Sequence, residues 1–174
     1  MTNTTTDPAT ATADDVRRNA QAVVDLARRA NSIIDHVMGE DVKSIWHERT
    51  IVDAIAGARD LVVRGRELLD RNGSDGWNLL GERTDDGFPE TTPEASFGLK
   101  IEPTDEFPVD LISTCLTRAE GALSVAAHFK PEGEDGLVAR NGALWAVNGT
   151  LDSIREAAAL VKWIDAEAST RKAA

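Results

Sequence analysis

The sequence predicts an all-α protein, an antiparallel four-helix bundle with a long acidic, Pro-containing insert between helices 2 and 3. Three observations predict it. Four stretches repeat apolar residues at steps of 3 and 4, the period of a helix with one buried face. Four of the six prolines crowd between Pro89 and Pro108, where helix cannot run. Most of the net charge of −11 sits in that same interval.

The first helix is expected over 14–38. Asp14 and Asp15 offer an N-cap and a first turn matched to the helix dipole. Val16, Ala20, Val23, Ala27, Ala30, Ile34 and Val37 follow as one stripe, and Gly39 marks the stop. The second is expected over 43–71. Its stripe is Ile51, Ala54, Ala58, Leu61, Gly65 and Leu68, closed by Asn72-Gly73, two residues that tolerate the left-handed conformation. The short link between the two helices implies a helical hairpin. The third, over 108–129, opens at Pro108 and buries Leu111, Ile112, Cys115, Leu116, Ala119, Ala122, Leu123 and Ala126. The fourth, over 138–168, carries Leu137, Leu144, Val147, Leu151, Ile154, Ala158 and Val161.

The insert, residues 72–107, is too apolar for full disorder. Trp77, Leu79, Leu80, Phe88, Phe97, Leu99 and Ile101 are costly to leave in water. The alternation Phe97, Leu99, Ile101 suits a short extended segment. A long crossover explains such a loop structurally; a partner-binding element explains it functionally. Charge distribution favours the second reading. Residues 1–71 carry 12 acids and 10 bases, net −2; residues 72–110 carry 10 acids and 2 bases, net −8; residues 111–174 carry 8 acids and 7 bases, net −1. The helices are nearly neutral and the insert is not. The expected partner-binding residues are Trp77, Glu82, Asp85, Asp86, Phe88, Glu90, Glu94, Phe97, Glu102, Asp105 and Glu106.

With 174 residues, 41% of them apolar, the chain has material for one buried core. The domain is expected over 13–174, behind a polar tail over 1–12 that has neither the basic nor the apolar region of a secretory leader. No apolar run is long enough to span a bilayer. One cysteine makes no internal disulfide and suits a reducing, cytoplasmic setting. At its helical apolar position Cys115 reads as a core residue rather than a nucleophile. Abundant Arg, Ala, Asp, Gly and Val with little Lys point to a GC-rich bacterial or phage genome.

The chemistry-bearing residues are few. His36, His47 and His128 lack the spacings that place two metal ligands on one helix face, so no metal and no cofactor is expected. Arg29 and His36, in "RANSIIDH", share a helix face, and the octapeptide resembles the Arg-x(4–6)-His pattern of HEPN-type ribonucleases, which are also helical bundles. The resemblance covers only those eight residues. That family carries the pair on a late helix with a polar residue after the arginine; here the pair is on the first helix and Ala30 follows. "AHFKPEG" around His128 resembles the phosphotransfer histidine of some bundles, while a polar residue facing the helix C-terminus accounts for it equally. An acidic chain is a poor direct ligand for nucleic acid, which needs a basic patch.

Gly142, Trp145 and Gly149 share one face of the fourth helix. Two glycines inside a helix cost roughly 1 kcal/mol each against alanine. Either another backbone packs closely there, the leading expectation, or the face forms a shallow groove holding Trp145. The reading that follows is a non-catalytic interaction or regulatory protein, monomer or homodimer, which binds a protein partner with a basic surface through its insert. An acidic inhibitor of a nucleic-acid-binding enzyme, of the kind phages encode against host defences, is the alternative.

Overall fold

Four apolar stripes must be covered, and four helices packed in a ring cover them. α1 spans Ala13–Met38, α2 Glu48–Asn78, α3 Val109–His128 and α4 Gly133–Ala159. A computed structural model of the chain describes residues 12–39, 48–80, 104–128 and 133–165. α1 packs on α2 and α4, and α3 packs on the same two. Among the described residues there is no strand beyond one isolated parallel bridge between Thr104 and Val161.

The core is built from the residues the stripes nominate. Val23, Ala27, Ala30 and Ile34 of α1 meet Ile55, Ala58 and Val62 of α2, Ile112, Leu116, Ala119 and Leu123 of α3, and Leu144, Val147, Leu151 and Ile154 of α4. Burying a Leu or Ile side chain contributes about 1.5–3 kcal/mol, so these layers dominate stability. Cys115 is buried among them, and burial pushes its thiol above the ordinary range, with the Arg118 guanidinium opposing. Polar bonds fix neighbours laterally. Asn19 Nδ2 donates to Asn72 Oδ1 at 2.6 Å, Arg59 Nε to Ser124 Oγ at 2.8 Å, and Asn31 Nδ2 to Asp152 Oδ1 at 3.1 Å. Arg66 pairs with Glu120, and Arg140, only 5% exposed, pairs with Glu48 across from α4 to α2.

The helix ends depart from expectation at the start of α1, beyond the break in α2 and at both ends of α4. Thr12, not Asp14 or Asp15, is the N-cap of α1, and Thr12 and Asp15 form a capping box; the two aspartates occupy the first turn. Gly39 ends α1 without entering the left-handed region, at φ −58°, and its N–H donates to the His36 carbonyl at 3.1 Å. The continuous helix of α2 stops at Asn72-Gly73, as expected. Gly73 takes φ +60° and breaks the helix, and a further turn resumes to Asn78, so residues 72–78 belong to α2 rather than to the insert. α4 starts at Gly133 rather than 138 and ends at Ala159 rather than running to 168. Past Ala159 the backbone has a better partner: Thr104 N donates to Leu160 O at 2.7 Å, and Lys162 N donates to Thr104 O at 2.9 Å. The expected start of α2 near residue 43 and the expected extended segment at 97–101 lie outside the described residues.

Candidate functional site

The bundle end that carries both roots of the insert is closed by three aromatic rings. After the break at Gly73, the last turn of α2 returns toward the bundle. Gly76 permits this: a Cβ there would stand 3.3 Å from Asn72 Cβ and 3.7 Å from Val16 Cγ2. The turn swings Trp77 back so that its Nε1–H donates to the Leu69 carbonyl at 3.2 Å. The break leaves carbonyls of the preceding helix without intrahelical donors, and the indole satisfies one. On the far side of the insert, Phe107 stacks on Trp77 with centroids 5.1 Å apart and planes 9° from parallel. Trp163 leans on the other side of Phe107, at 5.9 Å and 33°, and the Arg17 guanidinium lies 6.0 Å above the Trp163 ring. Each aromatic pair adds about 0.5–1.5 kcal/mol beyond its buried area.

Polar bonds lock the same corner. Trp163 Nε1 donates to the Asp105 carbonyl at 2.8 Å, Lys162 Nζ reaches Asp105 Oδ2 at 3.2 Å, and Glu106 N donates to Thr104 Oγ1 at 3.1 Å. Gln21 of α1 exchanges two bonds with the backbone of Asp165, at 2.9 and 3.0 Å. The segment leaving α4 is thereby tied both to α1 and to the descending root of the insert.

Of the residues expected to bind a partner, Trp77, Asp105 and Glu106 lie in this corner. Trp77 is half-buried as an anchor; Asp105 and Glu106 are exposed. Glu82, Asp85, Asp86, Phe88, Glu90, Glu94, Phe97 and Glu102 lie outside the described residues. Phe107 and Trp163, which complete the clamp, did not stand out in the sequence as a site. For Phe107 the signal was position, a large ring beside Pro108 where the proline-rich interval gives way to helical periodicity; Trp163 carried none.

The remaining candidates separate. Arg29 lines a cleft of about 330 Å³ between α1 and α2 with Asp25, Arg64, Glu67 and Arg71; cations and anions alternate there, so no single-sign field builds up. His36 lies in a different, shallower cleft of about 400 Å³ beside Ile33 and Gly57. The two residues of the HEPN-like octapeptide therefore do not converge on one cavity. His128 is exposed at the end of α3, and its Nδ1–H donates to the Ser124 carbonyl at 2.8 Å. His47 lies outside the described residues. Among the described residues no group of three or more His, Cys, Asp or Glu is placed to hold a metal, and no helix is long and apolar enough to cross a membrane.

Gly142, Trp145 and Gly149 form no groove within the bundle. They lie on the outer face of α4, Trp145 is 69% exposed, and a Cβ on either glycine would meet no atom within 4 Å. Among the described residues, close packing of another helix is thus not what the glycines serve. Protein-family models, curated proteins and solved structures were compared with the chain, and none matches it.

Proposed function

We propose that the protein is a non-catalytic interaction module whose four helices, neighbours antiparallel, hold an acidic insert toward a basic protein surface. The antiparallel reading draws support from hydrogen-bonded pairs whose numbers run in opposite senses: 21 with 165, 31 with 152 and 35 with 148 between α1 and α4 with the segment that follows it, and 59 with 124 and 66 with 120 between α2 and α3. The observation that carries the functional reading is the coincidence of the aromatic clamp with the charge step. The interval that holds net −8 is rooted at both ends in one corner, by stacked rings and hydrogen bonds. Anchoring both ends lowers the entropy lost when the acids between them order on a partner. Carboxylates so presented act chiefly on association rate and selectivity.

The test neutralises Glu82, Asp85, Asp86, Glu90, Glu94 and Glu102 to Gln or Asn and leaves Asp105 to hold Lys162. Proteins retained by the wild-type chain from its host's lysate and lost by the variant are identified, and association of the foremost is followed by stopped flow against ionic strength. The variant should associate at least about tenfold more slowly at low salt, with a flattened salt response. Equal rates and equal salt dependence for the two proteins would reduce the insert to a connection.

A further inference from the structure

α4 carries an outward stripe that no described residue covers. Val138, Gly142, Trp145 and Gly149 follow at intervals of 4, 3 and 4, which sets them in one line opposite the buried Leu144, Val147, Leu151 and Ile154. Val138 is 64% exposed and Trp145 69%. Leu137 is also exposed. Between Leu137 and Leu151 the sole charged residue is Arg140, which is turned inward to Glu48. A chain with 28% charged residues thus keeps four helical turns of one outer face free of charge.

We propose that this face docks a second copy of the chain, α4 against α4, head to tail about a two-fold axis level with Ala143 and Leu144. The stripe is self-complementary in two respects. Its spacing, 4-3-4, reads the same from either end. Its sizes alternate between a large side chain and none. Reversal of the second copy therefore sets Val138 against the bare backbone at Gly149 of the other copy, and Trp145 against that at Gly142. A two-fold interface requires this kind of self-matching, since one patch serves both sides. The glycines then acquire the role that nothing within the monomer gives them, because close approach of two helices needs small residues where the ridges cross.

Two chains of net −11 repel at a distance, and in this register Asp135 of each copy comes level with Asp152 of the other, so association should strengthen as salt screens them. A charged partner would find nothing on this stripe to pair with. The face measures about 22 Å by about 10 Å, well under the ~800 Å² that each partner in a standard interface buries. The dimer is accordingly weak and forms only at high protein concentration.

Sedimentation equilibrium of the full chain over a concentration series tests this, with the variants Gly142→Leu and Trp145→Ala. Gly142→Leu fills space that is open in the monomer and removes a helix-disfavouring residue, so its melting temperature holds or rises. Its dimer dissociation constant should rise at least about tenfold. Trp145→Ala should weaken the dimer in the same direction by removing the projecting ring. Gly57→Leu, on the α1/α2 side where a Cβ also meets open space, should leave association unchanged. A wild-type chain that stays monomeric to its solubility limit overturns the proposal, as does a dimer that Gly142→Leu leaves intact.

Discussion

Thr12 and Asp15 close on each other at the start of α1, and that pair sets how the helix answers acid. Thr12 Oγ1 accepts from the Asp15 N–H at 3.2 Å while donating to the carboxylate at 2.7 Å, and the Thr12 N–H also donates to that carboxylate, at 3.2 Å. These bonds from Thr12, with a smaller contribution from Arg18, hold the Asp15 carboxyl below its ordinary value of 3.8. The folded-state pKa is depressed, so the stabilisation is present above 3.8 and is lost as pH falls through the folded value. Asp15→Asn should lower the melting temperature at neutral pH, with the gap to wild type closing on acidification. Thermal melts followed by circular dichroism from about pH 6 to about pH 2.5 check this; a gap that stays constant would mean the carboxylate charge plays no part. The capping box was only half legible in the sequence. Thr-x-x-Asp was there to be found, but two adjacent aspartates drew the cap onto themselves. Cys115, by contrast, read correctly as a core residue because its helical register left no other place for it.

At the scale of the element, the stripes of α1 and α3 located those helices closely, since an amphipathic pattern and a helical core face are one fact seen twice. The ends of α2 and α4 were less legible. Asn72-Gly73 did signal a break, and Gly73 does take positive φ; local chemistry could not show that Gly76 lets another turn resume against Val16. Val161 and Ile164 kept the apolar rhythm of α4 going past its end, because a turn and a helix can bury the same residues. Only the long-range pairing with Thr104 distinguishes them. Two glycines test these assignments in opposite directions. Gly121→Ala, in mid-α3 with open space at its Cβ, should stabilise by about 1 kcal/mol. Gly73→Ala places a side chain at φ +60° and should cost about 1–2 kcal/mol. Urea titrations of both variants decide it; a stabilised Gly73→Ala would mean that the break at that position is not maintained in solution.

For the whole molecule, the charge counts separate near-neutral stretches over 1–71 and 111–174 from an acidic interval over 72–110, and most of that interval lies outside the described residues. The clamp beneath the insert was not legible, since it joins Trp77, Phe107 and Trp163 from three distant stretches and no spacing rule connects them. It has a consequence for connectivity. With Trp77 stacked on Phe107, the covalent link across 81–103 joins two points that the fold already holds together, and closing a loop of that length saves only a few kcal/mol of chain entropy. With neighbours antiparallel as proposed above, α1 with α2 and α3 with α4 would be two helical hairpins that recognise each other through a shared core. A protease site engineered into the middle of the insert should yield two fragments that stay associated, co-elute in gel filtration and melt cooperatively, while Phe107→Ala should make the cleaved pair separate at lower denaturant. Fragments that fall apart on cleavage of the wild-type clamp would show the peptide link to be essential. If they hold, the chain is a natural two-piece assembly: either hairpin alone is an incomplete folding unit awaiting its complement.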